Sequence, residues 1–233
     1  MLKDKPLTVI IPVRGGSKGI PRKNLYKFGK DSLLERAIKI ALLSNYVDKV
    51  IVSTEDQEMY SIATKYSVAS KKLREKSLAN DDAKTIDVIL SELKINNIKN
   101  GFVLLLQVTS ATRTLTDFNK FCETFSESNN YQSAVSLVNF DSPHPDKIQI
   151  IEAGKVKSYL GKESMVSRQS LPKVYALNGA FYISEIDSLL ENKSFFSKNT
   201  LPFIMDSISS VNLDNKIDLL NLESIVKNGL FKI

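Results

Sequence analysis

Long apolar runs alternate along the chain with segments of helical spacing. The runs show little polar alternation and include many β-branched residues; they are residues 7–13 (LTVIIPV), 47–54 (VDKVIVST) and 101–109 (GFVLLLQVT). Such runs are typical of strands buried on both faces of a parallel sheet. Apolar residues spaced three and four apart predict helices after these strands, at residues 33–45, 57–66 and 85–93. This order predicts an α/β fold with a doubly wound, mostly parallel sheet.

The ends of these elements carry their own signals. The first predicted helix has one broad apolar face, formed by Leu33, Leu34, Ala37, Ile38, Ala41 and Leu42. The second predicted strand ends in polar residues that favour a helix start, namely Ser53, Thr54, Glu55 and Asp56.

Cys122 is the single cysteine and lies in a helical pattern, so we expect a small buried hydrophobic side chain there. One cysteine excludes an intramolecular disulfide and a thiol metal cluster.

The pattern loosens after about residue 139. The segment 139–175 contains three prolines and the short alternating stretch KIQIIEAGKV, which suits a β-hairpin. Residues 175–183 and 201–213 then predict two further strands, and residues 214–229 predict a closing helix. We expect one domain over residues 1–233, with residues 139–175 inserted as an arm. Arms of this kind cover a site or pair with another subunit.

Composition narrows the class of protein. The 233 residues are 42% hydrophobic and 25% charged, which is ordinary for a globular protein. No apolar run approaches the roughly 20 residues of a membrane span, and the first run is too short for a secretory signal, so we expect a cytoplasmic protein with no membrane contact. The net charge of +6 favours an anionic ligand. No basic run interleaved with aromatics is present, which favours a phosphorylated small molecule over nucleic acid.

The loop after the first predicted strand, RGGSKGIPRKN at residues 14–24, is the most informative segment. Its three glycines let backbone N–H groups approach phosphate oxygens. Four cations neutralise a triphosphate: Arg14, Lys18, Arg22 and Lys23. Neither the P-loop pattern nor the dinucleotide pattern fits this loop. Because the loop leaves the carboxyl end of a strand, where open α/β sheets place ligands, we expect it to bind nucleotide phosphates.

The stretch IPVRGGSKGIPRKNL resembles the N-acylneuraminate cytidylyltransferases, also called CMP-sialic acid synthetases. The resemblance extends over nearly the whole chain, through VIVSTED, LLLQVTSATR, SAVSLV, HPDK, SRQSLP, NGAFYI and LDNKIDL. It implies a Rossmann-like domain, a homodimer with a dimerisation arm, CTP and an acidic sugar as substrates, and a Mg²⁺ requirement.

The resemblance also implies roles for individual residues. Those matching the nucleotide site are Arg14, Gly15, Ser17, Lys18, Lys23, Asn24, Arg74, Asp81, Thr85 and Gln107. Those matching the sugar site are Gln107, Lys147, Arg168, Asn178, Tyr182, Phe195 and Phe196. Core or dimer packing is the alternative for Phe195 and Phe196, and a helix cap is the alternative for Asp81.

Two loops depart from the family pattern. Residues 107–113 read QVTSATR where the family has Gln-Pro-Thr-Ser-Pro-Leu-Arg, so this loop lacks two prolines that restrict the backbone. Arg113 is either a site residue or a structural ion-pair residue. The family's closing Asp-x-Asp metal motif is replaced by Asn212 and Asp214. An asparagine oxygen ligates Mg²⁺ without adding charge, so we expect a weakened site, a site completed by Asp206 or Asp218, or impaired catalysis.

The implied reaction is attack of the sugar's anomeric hydroxyl on the α-phosphorus of CTP, with pyrophosphate leaving. Arg14, Lys18 and Lys23 would neutralise the triphosphate, and Asp214 would hold Mg²⁺. Legionaminic and pseudaminic acids are alternative nine-carbon acceptors. A non-catalytic nucleotide-binding protein on the same scaffold is the alternative that the altered metal motif suggests.

Overall fold

A computed structural model describes residues 2–17, 19–140, 142–162 and 165–232. The strands are β1 (Leu7–Pro12), β2 (Lys27–Phe28), β3 (Asp31–Ser32), β4 (Lys49–Ser53), β5 (Phe102–Leu105), β6 (Ser133–Asn139), β7 (Gln149–Glu152), β8 (Lys155–Ser158), β9 (Tyr175–Glu185) and β10 (Thr200–Met205). The α-helices are α1 (Leu33–Leu43), α2 (Gln57–Lys65), α3 (Thr85–Ile95), α4 (Leu115–Glu127), α5 (Ile186–Asn192) and α6 (Lys216–Lys227).

Six of the strands form one central sheet in the order β10-β6-β9-β5-β1-β4. β1 runs parallel to both β4 and β5, and β10 runs parallel to β6. β9 is antiparallel to its two neighbours, β5 and β6. The predicted doubly wound, mostly parallel Rossmann-like sheet is therefore confirmed, with one reversed strand in its middle.

Hydrophobic layers cover both faces of this sheet. Val9 and Ile11 of β1 belong to the larger core, which includes the apolar faces of α1 and α4. Ile10, between them, belongs to a second core with residues of α3 and α5. Successive side chains of a strand point to opposite faces, so a strand covered on both sides must be apolar at every position. This explains the unbroken apolar runs in the sequence.

The helix starts follow the capping signals. Ser32 and Glu35 form a capping box at α1, and the carboxylate of Asp56 accepts hydrogen bonds from the first N–H groups of α2. Thr114 and Asp117 form a second capping box at α4. As expected, Cys122 is fully buried in α4, and burial raises the pKa of its thiol. No helix in the described part of the chain has the length and apolar character needed to span a bilayer.

Some expectations at the ends of elements are wrong. Leu42, assigned to the buried face of α1, is 48% exposed, because the helix ends one residue later at the edge of the layer. The strand expected at residues 201–213 ends at Met205. Asp206 then accepts hydrogen bonds from the N–H groups of Ile208 and Ser209, and this turn stops the strand. The short helix α5 was not predicted.

The segment between β6 and β9 contains the hairpin expected in KIQIIEAGKV. Strands β7 and β8 pair only with each other and form a separate two-stranded sheet. Ala153 and Gly154 make the turn with φ of 50° and 75°, the left-handed conformation that tight hairpins use. Ile151 and Val156 are 80% and 70% exposed on this hairpin. The hairpin thus carries apolar residues that the described part of the chain does not cover.

Candidate nucleotide site

A cavity of about 600 Å³ opens at the carboxyl ends of β1 and β5, and we call it the carboxyl-edge cavity. Four segments contribute to its wall: residues 12–24, 74–88, 107–109 and 212–214. Open α/β sheets bind ligands at this edge, because several strand-to-helix loops converge there. The predicted site residues that line the cavity are Arg14, Ser17, Lys23, Asn24, Arg74, Asp81, Thr85, Gln107, Asn212 and Asp214.

The first loop, residues 14–24, folds back on itself beside the cavity. The Asn24 side chain is buried and donates a hydrogen bond to the Arg14 carbonyl oxygen at 3.0 Å. Asn24 therefore closes the loop, in addition to lining the cavity. Lys18, predicted as a catalytic residue, lies outside the described residues.

Two cations of the cavity wall form ion pairs with carboxylates. Arg14 Nη1 lies 2.9 Å from Asp81 Oδ1, and Lys23 Nζ lies 2.9 Å from Asp214 Oδ1. The Asp81 and Asp214 side chains are 50% and 65% exposed. Such exposed pairs contribute little stability, on the order of 0–1 kcal/mol, so a more highly charged anion competes effectively for the same cations. Arg14 and Lys23 can therefore exchange these carboxylates for the oxygens of a polyphosphate.

Arg74 is a buried cation in the cavity wall. Its Nη2 donates to the Val13 carbonyl at 2.6 Å and to Glu55 Oε2 at 2.7 Å, while its Nε has no hydrogen-bond partner. The other oxygen of Glu55 accepts from the Gly15 N–H at 2.7 Å. Gly15 does not line the cavity, and its N–H is directed at Glu55, so the structure does not bring this predicted nucleotide-binding residue to the ligand side.

The loop after β5 is held against the start of β9. Gly179 has φ of +77°, and a Cβ at this position would lie 2.6 Å from Gln107 Oε1, so glycine permits Gln107 to pack there. Arg113 is fully buried and donates from Nη1 to the Ala180 carbonyl at 2.9 Å. Burial, together with the nearby positive charge of Arg36, lowers the pKa of Arg113 to about 9. Arg113 does not line the cavity and is a structural residue that anchors this loop.

Most residues assigned to the sugar do not reach the carboxyl-edge cavity. The Asn178 side chain is buried, accepts from Ser136 Oγ at 2.6 Å and donates to Ser210 Oγ at 2.9 Å. Its hydrogen-bonding groups are therefore used within the sheet. Tyr182 packs against Phe195 in the second core with ring centroids 6.0 Å apart, which is the packing alternative for Phe195.

Phe196 and Lys147 lie outside the cavity wall, and the side chain of Arg168 lies outside the described part of the structure. Phe196 is 48% exposed. Lys147 is exposed at the end of the 3₁₀ turn Pro145–Lys147 in the arm, and Arg168 begins the turn Arg168–Ser170, with its side chain outside the described part of the structure. Of the predicted sugar residues, Gln107 lines the cavity.

The residues assigned to a metal lie side by side. Asn212 Nδ2 donates to Asp214 Oδ2 at 2.6 Å, and Asn212 Oδ1 is buried without a hydrogen-bond partner among the described residues. Within the described residues, no cluster of three His, Cys, Asp or Glu side chains is placed to hold a metal ion. One carboxylate and one amide oxygen fit a Mg²⁺ that takes its remaining ligands from substrate phosphates and water.

The two carboxylates considered as substitutes for Asn212 have other partners. Asp206 accepts hydrogen bonds in the turn after β10, and Asp218 accepts from the N–H groups of Asp214 and Asn215 at the start of α6. The expectation that one of them completes the metal site is therefore not supported, because both carboxylates are used to cap backbone N–H groups.

The fold and the site together define an α/β protein with a cation-lined cavity suited to a nucleotide. The sequence model of the family described as cytidylyltransferase matches residues 8–219. The chain belongs to this cytidylyltransferase family.

Two relatives resemble the chain in sequence, and one solved structure resembles it in fold. The chain is 32% identical to a CMP-N,N'-diacetyllegionaminic acid synthase of Campylobacter jejuni, over 93% of both chains. It is also 32% identical to an N-acylneuraminate cytidylyltransferase of Escherichia coli, over 91% of this chain and 50% of that protein, so it spans about half of that relative. A solved structure of a CMP:2-keto-3-deoxy-manno-octonic acid synthetase complexed with CTP has a TM-score of 0.70 at 13% identity, covering 96% of this chain and 99% of that one. At this identity the likeness shows the fold.

Proposed function

We propose that the protein transfers a cytidylyl group from CTP to the anomeric hydroxyl of a sialic-acid-type, nine-carbon acidic sugar and releases pyrophosphate. The observation that carries the proposal is the carboxyl-edge cavity, in which the cations Arg14 and Lys23 pair with exposed carboxylates. Membership of the cytidylyltransferase family supplies the reaction class. We assign the reaction to the cytoplasm as part of the same proposal.

The cavity wall offers different chemistry on two of its segments. Residues 74–85 contribute Arg74, Asp81 and Thr85, which we assign to the base and ribose. The first loop contributes Arg14 and Lys23, which we assign to the triphosphate, since phosphates need charge-assisted donors. A nucleotide lying across these groups directs its phosphates toward Asp214.

The reaction needs no nucleophile from the protein. The acceptor hydroxyl oxygen forms a bond to the α-phosphorus while the bond to the bridging oxygen of pyrophosphate breaks, and the hydroxyl proton passes to Asp214 or to solvent. The protein contributes alignment of the two substrates and stabilisation of the phosphoryl charge. We assign Lys23 to both alignment and charge stabilisation, because it lines the cavity and contacts the carboxylate of Asp214.

We further propose that Asp214 and the amide oxygen of Asn212 bind Mg²⁺ together with the nucleotide phosphates. A bound Mg²⁺ supplies positive charge at the phosphoryl group being transferred. In the structure, Asn212 directs its Nδ2 at Asp214, and rotation of the amide would exchange this donor for the oxygen. Nitrogen and oxygen of an amide have nearly the same shape, so the rotation needs little space.

The acceptor that we propose first is an N-acylneuraminate. A legionaminic-type acid is the second candidate, because the relative acting in CMP-N,N'-diacetyllegionaminic acid synthesis matches this chain over 93% of its own length. A pseudaminic acid shares the carboxylate and the nine-carbon skeleton and belongs in the same test.

A pyrophosphate-release assay with CTP, Mg²⁺ and a panel of purified acidic sugars tests the proposal. We expect release that depends on a nine-carbon acid and saturates with CTP, and the acid with the highest kcat/KM identifies the acceptor. ATP, GTP and UTP in place of CTP are matched controls. Tight binding of CTP without release for any acid would instead favour a non-catalytic nucleotide-binding protein.

We also propose that the chain forms a homodimer through the arm, residues 139–175. Ile151 and Val156 lie directly opposite each other on the isolated hairpin and are strongly exposed, which suits burial against a second copy. Sedimentation of the variant Ile151→Asp tests this. We expect a dimer for the wild type and a monomer for the variant, with Lys155→Ser as the control on the same hairpin. Two monomeric proteins would contradict the proposal.

A further inference from the structure

Glu55 joins two separate segments of the wall of the carboxyl-edge cavity without lining the cavity. It follows β4 by two residues, and its side chain is 18% exposed. Oε1 accepts the N–H of Gly15 in the first loop at 2.7 Å, and Oε2 accepts from Arg74 Nη2 at 2.7 Å. Each carboxylate oxygen thus contacts a different segment, the first loop through Gly15 and the segment 74–88 through Arg74.

Glu55 completes the set of contacts that fixes Arg74. The side chain of Arg74 is 5% exposed, and besides Glu55 it bonds the Val13 carbonyl at 2.6 Å. The backbone N–H of Arg74 donates to the Thr54 carbonyl at 2.8 Å. A buried guanidinium requires a nearby anion, and Glu55 is the carboxylate that contacts it among the described residues. Removing this charge would leave Arg74 buried and uncompensated.

Glu55 also fixes the backbone next to Arg14. The N–H that it accepts belongs to the peptide linking Arg14 to Gly15, so the position of Arg14 in the wall depends on this bond. A Cβ at Gly15 would lie 2.6 Å from Asp56 Oδ2, which shows how closely the first loop approaches the residues after β4. This close approach allows the Gly15 N–H to reach the carboxylate of Glu55.

We propose that Glu55 is a positioning residue that holds the segment carrying Arg74 against the first loop, which carries Arg14. This inference rests on the proposed function, because it matters only if a nucleotide contacts both segments. It predicts that nucleotide affinity depends on Glu55 although Glu55 touches no nucleotide.

The variant Glu55→Gln tests the contacts of the Glu55 carboxylate without changing the volume of the side chain. Glutamine keeps the size but has one acceptor oxygen and one NH₂ donor, so it must direct a donor at either the Gly15 N–H or the Arg74 guanidinium. Two donors facing each other cannot both be satisfied, and one contact is lost. Glu55→Asp keeps the charge and shortens the side chain by one methylene. Glu75→Gln is the matched control, since Glu75 is 68% exposed and pairs with Lys72.

The test is CTP binding by calorimetry on the full chain, together with kcat and KM for pyrophosphate release. We expect Glu55→Gln to raise the Kd and the KM for CTP about tenfold or more, with kcat at saturation changed less than about threefold. Glu55→Asp is expected between Glu55→Gln and the wild type, and Glu75→Gln is expected to match the wild type. Arg74→Lys combined with Glu55→Gln should cost less than the sum of the single changes, because both act on one contact.

The outcomes separate this inference from the proposed function. If the wild type binds CTP and Glu55→Gln binds it equally well, the positioning role is overturned and the proposed function stands. If the wild type itself does not bind CTP, both are overturned. Thermal unfolding is measured in parallel. Should Glu55→Gln be unfolded at the assay temperature, the folded Glu55→Asp variant decides, and an unchanged Kd for CTP in that variant overturns the proposal.

Discussion

Lys23 Nζ and Asp214 Oδ1 lie 2.9 Å apart in the wall of the carboxyl-edge cavity, although the two residues are 191 positions apart in the chain. The Lys23 side chain is only 14% exposed, whereas Asp214 is 65% exposed. The lysine is therefore held by the wall, and its partner is the group that solvent or a ligand reaches. This pair links the first loop to the segment proposed to bind Mg²⁺.

Lys23→Met is expected to weaken CTP binding about tenfold or more, because a charge-assisted bond to phosphate is lost while the apolar stem is kept. Calorimetry with CTP measures the effect. Lys27→Met is the control, since Lys27 is 66% exposed and pairs with Glu35 away from the cavity. Equal Kd values for the wild type and Lys23→Met would remove Lys23 from the triphosphate site.

Asn212→Asp is expected to lower the Mg²⁺ concentration that gives half-maximal pyrophosphate release, because it adds a second carboxylate beside Asp214. Titration of Mg²⁺ at saturating CTP measures this concentration, and calorimetry of Mg²⁺ with the CTP-bound protein measures binding directly. Asn215→Asp is a matched control. It adds the same charge three residues away, and aspartate retains the helix cap that Asn215 provides to α6. An unchanged or raised requirement in Asn212→Asp would exclude these residues as a metal site.

Gly19→Ala and Gly16→Ala form a matched pair within the first loop. A Cβ at Gly19 would lie 1.9 Å from the backbone oxygen of Asp214, whereas a Cβ at Gly16 has nothing within 4 Å. We expect Gly19→Ala to force the two segments apart at a cost of about 1–3 kcal/mol in the free energy of unfolding, and Gly16→Ala to change it by less than about 0.5 kcal/mol. Urea unfolding measures both. Equal destabilisation would contradict the close approach of the loop to Asp214.

Asp56→Asn is expected to destabilise the protein in a pH-dependent way. The hydrogen bond from Arg22 lowers the pKa of Asp56 below its usual value of 3.8, and the bonds from the N–H groups of α2 act in the same direction. A carboxyl whose pKa is lower in the folded state stabilises the protein above its unfolded pKa, and this contribution is lost as the pH falls through the folded pKa. The wild type should therefore exceed Asp56→Asn by about 1 kcal/mol at pH 7, and the difference should shrink below about pH 4.

Urea unfolding at several pH values between 3 and 7 measures this difference. Glu58→Gln provides a comparison, since Glu58 pairs with the same Arg22 but is 64% exposed. We expect a smaller and flatter effect there, because solvent screens the pair. A difference between wild type and Asp56→Asn that stays constant down to pH 3 would show that the Asp56 charge does not stabilise the folded state.

The central sheet was predictable because strands that are buried on both faces have continuous apolar runs in the sequence. β1, β4 and β5 each have an unbroken apolar run, namely residues 9–13, 50–52 and 102–106, and the first loop follows β1 directly. The reversed direction of β9 was not predictable, because an apolar strand reads the same for either orientation of its neighbours. The strand expected through residues 206–213 failed because a short alternating stretch does not reveal the turn that the Asp206 side chain makes with backbone N–H groups.

The candidate site was predictable only in part for a related reason. Arg14 and Lys23 belong to the loop that follows β1 at the carboxyl edge of the sheet, and both reach the cavity. Asn178 and Phe195 are buried, and their partners, Ser136 and Tyr182, were not deducible from spacing. Glu55 was interpreted as helix-capping chemistry, although Asp56 makes the cap of α2. An acidic residue two positions after a predicted buried strand was the available signal.

The reversed strand β9 decides where the arm can act. β9 begins at Tyr175, opposite Asn139 at the end of β6, so the chain leaves and re-enters the sheet at one edge. Glu185, at the other end of β9, pairs with Phe102 at the start of β5 on the far edge. Insertions or deletions between Asn139 and Tyr175 therefore leave the pairing of β1, β4 and β5 unchanged. Members of the cytidylyltransferase family can therefore vary this excursion in length and sequence without disturbing the strands below the carboxyl-edge cavity.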